Sequence, residues 1–214
     1  MNPLRRYATA ALVALVPVSL ALVSMSHAEA GPISATSWKV AGDQKLTLDS
    51  ISGLEWLDID QTLNKSYQTV TNSFGAGGTY EGFRYATVAE FQTLLTNAGV
   101  LSYSVNSFSS QYYAEVAALQ TLLSTSFSSE NQKASFGILA DPAISNFQRR
   151  GVDLETLPPN LAGVFISDQT DFASENKGSW LVRPAAVPEP SDYAMTLAGL
   201  TCGGFSMWRR RTRA

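Results

Sequence analysis

Histidine and cysteine are nearly missing from this 214-residue chain, which has one of each. His27 lies in an apolar N-terminal stretch and Cys202 in an apolar C-terminal one. The segment 31–187 between them has neither. That excludes from it any Ser-His-Asp or Cys-His catalytic arrangement, a zinc or copper site of ordinary ligand type and a disulfide. Basic charge is also scarce. The segment carries nine Lys and Arg against fifteen Asp and Glu, a net of −6. Nucleic acid needs a basic footprint that such a segment lacks. No Lys/Arg cluster there suits anionic lipid, and Arg149-Arg150 reads as a solvated loop doublet.

What is present begins with two processing signals. Arg5 and Arg6 precede an uncharged apolar run from Ala8 to Met25, followed by Ser26-His27-Ala28. A basic start, an apolar middle and small residues at a cleavage position describe a secretory signal peptide over 1–28, set aside in fold reasoning. At the other end stand Val187-Pro188-Glu189-Pro190-Ser191, an apolar stretch over about 193–208, and Arg209, Arg210, Arg211 and Arg213. Pro188 and Pro190 favour an extended backbone that a protease can read. A helix of about 16 residues is roughly 24 Å long. It is short for a hydrocarbon core of about 30 Å, and spans with bilayer thinning or snorkelling. The arginines after it place the C-terminus on the cytoplasmic side, in agreement with the signal peptide. Gly199 and Gly203 have the spacing that lets two membrane helices approach closely, and they equally suit ordinary glycine content of such helices.

The motif Pro188-Glu189-Pro190, the short helix and the arginine tail resemble the PEP-CTERM sorting signal. The resemblance covers about the last 27 residues. It implies recognition by exosortase, a membrane-embedded cysteine protease of Gram-negative bacteria that make exopolysaccharide and biofilm. The expected partners are therefore exosortase, the inner membrane transiently, and exopolysaccharide, with no nucleic acid. The expected path is an inner-membrane-anchored precursor with a periplasmic domain, then a mature form at the cell surface or in the matrix. One departure is Thr196, Thr201 and Ser206, which make this helix more polar than those of typical members.

The segment 31–187 has the size of one domain. Trp38–Val40, Lys45–Asp49 and Gly53–Ile59 read as strands, the second by alternation of Leu46 and Leu48 with polar neighbours. A helix is expected over Ser66–Phe74, stopped by Gly75-Ala76-Gly77-Gly78. Thr87-Val88-Ala89-Glu90 is a capping box. Val88, Phe91, Leu94, Leu95 and Ala98 then share a helical face, and Gly99 stands at the terminating position. A third helix is expected over Gln111–Leu123, with Val116, Leu119, Leu122 and Leu123 inward. Strands return over Ala134–Ala140, Leu161–Ser167 and Gly178–Val182. Leu101–Ser110 and Ser124–Asn131 read as surface loops. Strands, helices and strands again predict a single α+β domain with mixed or antiparallel strands and two to three helices.

Two segments of this domain, Gly53-Leu54-Glu55-Trp56-Leu57-Asp58 and Gly82 to Phe91, resemble stretches of PEP-CTERM ectodomains. They are distantly similar to the GLxW … WRLPTxxEL pattern of Lcl-type domains, with Phe83 for the usual Trp and Tyr85-Ala86 for Leu-Pro. Gly178 to Arg183 matches the closing strand. The resemblance implies a C-type-lectin-like fold and a role in adhesion or glycan binding. Arg84 is then expected to be structural, paired with a helix-capping acid.

The candidate ligand residues are acidic. Asp58 and Asp60 resemble the start of a calcium loop, but Leu63 and Thr69 stand where an EF-hand needs Gly and Glu. Asp168, Asp171 and Glu175 fall in an expected polar loop, and oxygen-only ligands of this kind suit Ca²⁺; a solvated acidic loop fits the same residues. Asp58 or Glu55 with Asp168 could form a glycosidase carboxylate pair at a separation of about 5–9 Å. Trp38, Trp56 and Trp180 can stack on sugars or serve as core. No catalytic residue and no required cofactor is assigned, Ca²⁺ being the one ion considered. The expectation is an exported, non-enzymatic domain for adhesion or carbohydrate binding. A glycan hydrolase and a purely structural matrix component are the alternatives.

Overall fold

The computed structural model describes residues 32–101, 103–141, 148–157 and 159–186. The expected signal peptide, Pro188-Glu189-Pro190, the expected helix over 193–208 and the terminal arginines lie outside the described residues. No helix among the described residues is long and apolar enough to cross a membrane.

One sheet joins the two ends of the domain. Its strands are β1 (Ile33–Thr36), β2 (Leu46–Asp49), β3 (Leu54–Leu57), β4 (Arg84–Tyr85) and β11 (Leu181–Pro184), in the order β1-β2-β3-β11-β4 and antiparallel throughout. The last strand thus sits inside the sheet, between β3 and β4. The second sheet holds β5 (Ser107–Ser109), β7 (Lys133–Ile138), β8 (Gln148–Leu157), β9 (Leu161–Thr170) and β10 (Gly178–Ser179), in the order β10-β7-β8-β9-β5. Only β10 runs parallel to its neighbour, and a short β6 (Phe127–Ser128) adds to β7. Among the described residues three α-helices complete the set: α1 (Tyr67–Thr71), α2 (Val88–Asn97) and α3 (Tyr113–Leu123). The domain is α+β, as the order of elements predicts.

The capping box forms as read. Thr87 Oγ1 accepts from Glu90 N–H at 3.2 Å, and Glu90 Oε2 accepts from Thr87 N–H at 2.9 Å. Arg84 Nη1 donates to the same oxygen at 2.9 Å, so Arg84 does pair with the helix-capping acid. At the other end Gly99 has φ +89°. Its N–H reaches Thr96 O, and that of Val100 reaches Leu95 O, which is the Schellman arrangement that a glycine makes cheap.

Phe91, Leu94 and Leu95 of α2, with Val116, Leu119 and Leu123 of α3, pack on Val152, Leu154, Ala162 and Val164 of the second sheet and on Trp56 and Val182 of the first. Trp180 ties the sheets together. Its N–H donates to Ile138 O and its carbonyl accepts from Ala86 N–H. Its fully buried indole packs on Phe91 and donates to Val152 O at 2.8 Å. Burying a ring of this size contributes about 2–3 kcal/mol. A second cluster, Leu46, Leu57, Val70, Tyr80, Phe83, Tyr85, Ile138 and Leu181, gathers residues of β2, β3, β4 and β11 with Ile138 of β7, Val70 of α1 and the segment between α1 and β4.

Several expectations are corrected. Trp38–Val40 is a bend rather than a strand, because all three N–H groups turn onto the Asp43 carboxylate; the strand is Ile33–Thr36. The first helix is only five residues long, since the chain reverses so that Tyr80 N–H meets Ser73 O. Gly178–Val182 breaks at Trp180, where the chain crosses between sheets. The Leu101–Ser110 and Ser124–Asn131 stretches each contain a short strand. Arg149-Arg150 lies in β8, half of a ten-residue antiparallel pair with β9, and is not a loop doublet.

Candidate functional site

The predicted acidic residues are dispersed and mostly neutralised. Asp58 and Asp60 flank the start of a 3₁₀ turn after β3, and both face Lys45, at 3.7 and 2.9 Å. Asp58 is 4% exposed and its Oδ1 is buried with no hydrogen-bond partner. Burial, reinforced by Asp60 and opposed by Lys45, pushes its pKa up to about 7. Asp168 is not in a loop. It belongs to β9, is exposed, and pairs with its cross-strand neighbour Arg150 at 3.5 Å. Asp171 follows β9 and its carbonyl accepts from Tyr67 N–H. Glu175 is exposed in the turn between Ser174 and Lys177. No group of three or more His, Cys, Asp or Glu side chains converges among the described residues. Glu55 is bound to Arg183, Asp58 follows β3 of the first sheet, and Asp168 lies in β9 of the second, each beside its own cation. The rings of Trp56 and Trp180 are fully buried, and Trp38 stacks on Tyr80 at 6.0 Å.

Sequence reasoning passed over two buried ionisable residues, Asp153 and Lys177. Asp153, at the centre of β8, is 6% exposed. Its Oδ2 accepts from Gln169 Nε2 at 3.1 Å and Ser167 Oγ at 3.5 Å, and its Oδ1 has no partner. Burial, with the nearby Glu155 charge, pushes its pKa up to about 7. Lys177, also buried, donates to Thr170 O and to Thr170 Oγ1, and burial lowers its pKa. The alternation in Val152-Asp153-Leu154-Glu155 was the available signal: it marks a strand and puts Asp153 on the face away from the helices.

A solvent-open cleft of about 420 Å³ lies between one side of α3, from Tyr113 to Thr121, the 124–128 segment and the ends of β7 and β8. Tyr113, Gln120, Thr121, Ser124, Lys133 and Thr156 line it, joined by Thr125, Ser128 and Ala117. Gln120 is buried and locked: Nε2 donates to Leu154 O at 2.9 Å, and Oε1 accepts from Thr156 Oγ1 at 2.9 Å. Lys133 and Thr156 are register partners. Ser124 ends α3 at φ 65°, ψ 167°, a region that only glycine occupies without strain. Its carbonyl is held by Ser135 Oγ at 2.7 Å. The 124–128 stretch was legible in the sequence only as Ser/Thr-rich, since nothing local says that Lys133 and Thr156 fold beneath it.

Comparison with protein-family models, with curated proteins and with solved structures finds no match to this chain.

Proposed function

We propose that this chain is an exported surface or matrix protein, sorted by a PEP-CTERM tail and processed by exosortase, whose domain binds carbohydrate without cleaving it. The observation that carries the reading is where the body's ends leave it. Pro32 O accepts from Ser50 N–H at 2.9 Å, and Ala185 N–H donates to Gly53 O at 2.8 Å. Both ends therefore emerge at the single β2–β3 turn. A domain tethered at one pole presents its remaining surface outward, cleft included. The terminal strand set into the first sheet, with α2, α3 and the second sheet between its early strands and that last one in the chain, supports a C-type-lectin-like reading of the fold. Binding is favoured over hydrolysis because Asp58, Asp168 and Glu55 each rest on a cation rather than facing one another across a gap.

The test is cellular. Replacing Pro188, Glu189 and Pro190 by alanine in an exosortase-bearing host should trap a full-length form in the inner membrane. The parent's surface form, by mass spectrometry, should lack Arg209, Arg210, Arg211 and Arg213. A surface form that retains these arginines, or alanine replacement that leaves processing unchanged, overturns the sorting part.

A further inference from the structure

We infer that the cleft beneath α3 is a saccharide subsite selective for an acidic sugar unit, a uronic acid within a polysaccharide. The inference rests on the carbohydrate-binding reading above and names its place and chemistry.

Three observations converge. The first is size and lining: about 420 Å³ is within the range of small-ligand pockets, and seven of the nine described residues that line it carry a hydroxyl or an amide. Such a wall matches a ligand that is itself rich in hydroxyls, where each hydrogen bond lost to water must be replaced in kind.

The second is the division between locked and unengaged groups. The floor, Gln120 and Thr156, is fixed by hydrogen bonds to Leu154 O and to one another. The side-chain polar groups of Tyr113, Ser124, Thr125, Ser128 and Lys133 make no hydrogen bond or ion pair with the described residues. A rigid base under unengaged donors and acceptors is the arrangement that costs little ordering on binding. The half-buried Tyr113 supplies a ring edge or face for a sugar's C–H surface. Ser124, held in a glycine-type conformation by Ser135, is strain located at the rim of this same cleft.

The third is charge. Among the described residues, Lys133 is the only charged one in the lining, and no carboxylate accompanies it there. In a domain of net −6, a lone unpaired ammonium over a hydroxyl-rich floor selects a carboxylate-bearing sugar over a neutral one.

The experiment uses the full chain with tetragalacturonate as the acidic probe and maltotetraose as the neutral one, measured by calorimetry at low and moderate salt. Tetragalacturonate should bind at least tenfold more tightly, with the preference shrinking as salt rises. Lys133→Gln, an exposed position that leaves the fold intact, should abolish that preference. Tyr113→Phe should retain most of the binding and Tyr113→Ser should weaken both sugars, with thermal melting used to verify folding. Tetragalacturonate binding untouched by Lys133→Gln and Tyr113→Ser overturns this site while leaving a glycan-binding domain. Equal or better binding of maltotetraose overturns the acidic selectivity. No binding of either sugar overturns the inference, and a parallel failure to retain exopolysaccharide from the producing cells would take the carbohydrate reading with it.

Discussion

Arg183 Nε donates to Glu55 Oε2 at 2.7 Å, and the two residues face one another across the β3–β11 ladder. They stand 128 positions apart in the chain. The guanidinium also lies over the Phe83 ring at 4.8 Å. One ion pair thus fastens the last strand to the third and covers the aromatic cluster beside it.

Removing either partner should therefore cost more than a surface pair would. Glu55 is 8% exposed, so Arg183→Ala leaves a largely buried carboxylate without its cation. The expected loss is about 2 kcal/mol, between the values for exposed and buried pairs. Glu55→Ala should cost a similar amount and the double variant less than the sum. Urea unfolding of the three variants measures this, and strictly additive losses would mean the pair contributes nothing of its own.

The parts of the fold that were legible in the sequence are those set by local chemistry. Thr87, Glu90 and Gly99 lie within a few residues of the groups they satisfy, so the start and stop of α2 could be read directly. The alternation of Leu46 and Leu48 likewise marked β2. What could not be read depends on distant partners. Ser66–Phe74 carries helical spacing, but Tyr80 folding back onto Ser73 shortens the helix. Gly137 gives no local sign of its role, yet a Cβ there would stand 2.5 Å from Trp180 Nε1 and 2.7 Å from Ile59 Cδ1. The candidate site divides in the same way. The acidic residues were visible as residue types, but their neutralising partners Lys45 and Arg150 come from other strands. The cleft joins Gln120, Lys133 and Thr156 from three elements, which no spacing rule connects.

Thr87 and Glu90 give a second test, at the entrance to α2. Thr87→Ala should lower stability by about 1 kcal/mol, the usual cost of losing a cap. Glu90 accepts from Thr87 N–H, Thr87 Oγ1 and Arg84, which holds its carboxyl at about 2, Arg84 being the largest cause. Since this pKa is depressed, the stability it brings is complete above the unfolded value and is lost as pH falls toward 2. Glu90→Gln should therefore cost about 1 kcal/mol at pH 6 and close to nothing at pH 2. Arg84 is half exposed, and Arg84→Ala should cost under about 0.5 kcal/mol. Thermal unfolding at the two pH values checks the order, and an Arg84 loss larger than that of Thr87 would contradict it.

Asp153 supplies the opposite pH dependence. Its folded pKa is raised to about 7, first by burial and then by Glu155, as is that of Asp58 by burial and Asp60. Between about pH 4 and 7 the folded chain then holds protons that the unfolded chain has released, so stability falls as pH rises through that window. Each group contributes on the order of 2 kcal/mol to the decline. Lys177, the nearby cation, and the bonds from Ser167 and Gln169 soften it for Asp153, as Lys45 does for Asp58. Asp153→Asn removes the titrating group while keeping the shape and the acceptor that Gln169 uses. The variant should match the parent at pH 4 and exceed it by about 2 kcal/mol at pH 7.5. Urea unfolding at pH 4, 5.5 and 7.5 measures both curves. Parallel curves across the three would show that Asp153 stays ionised throughout.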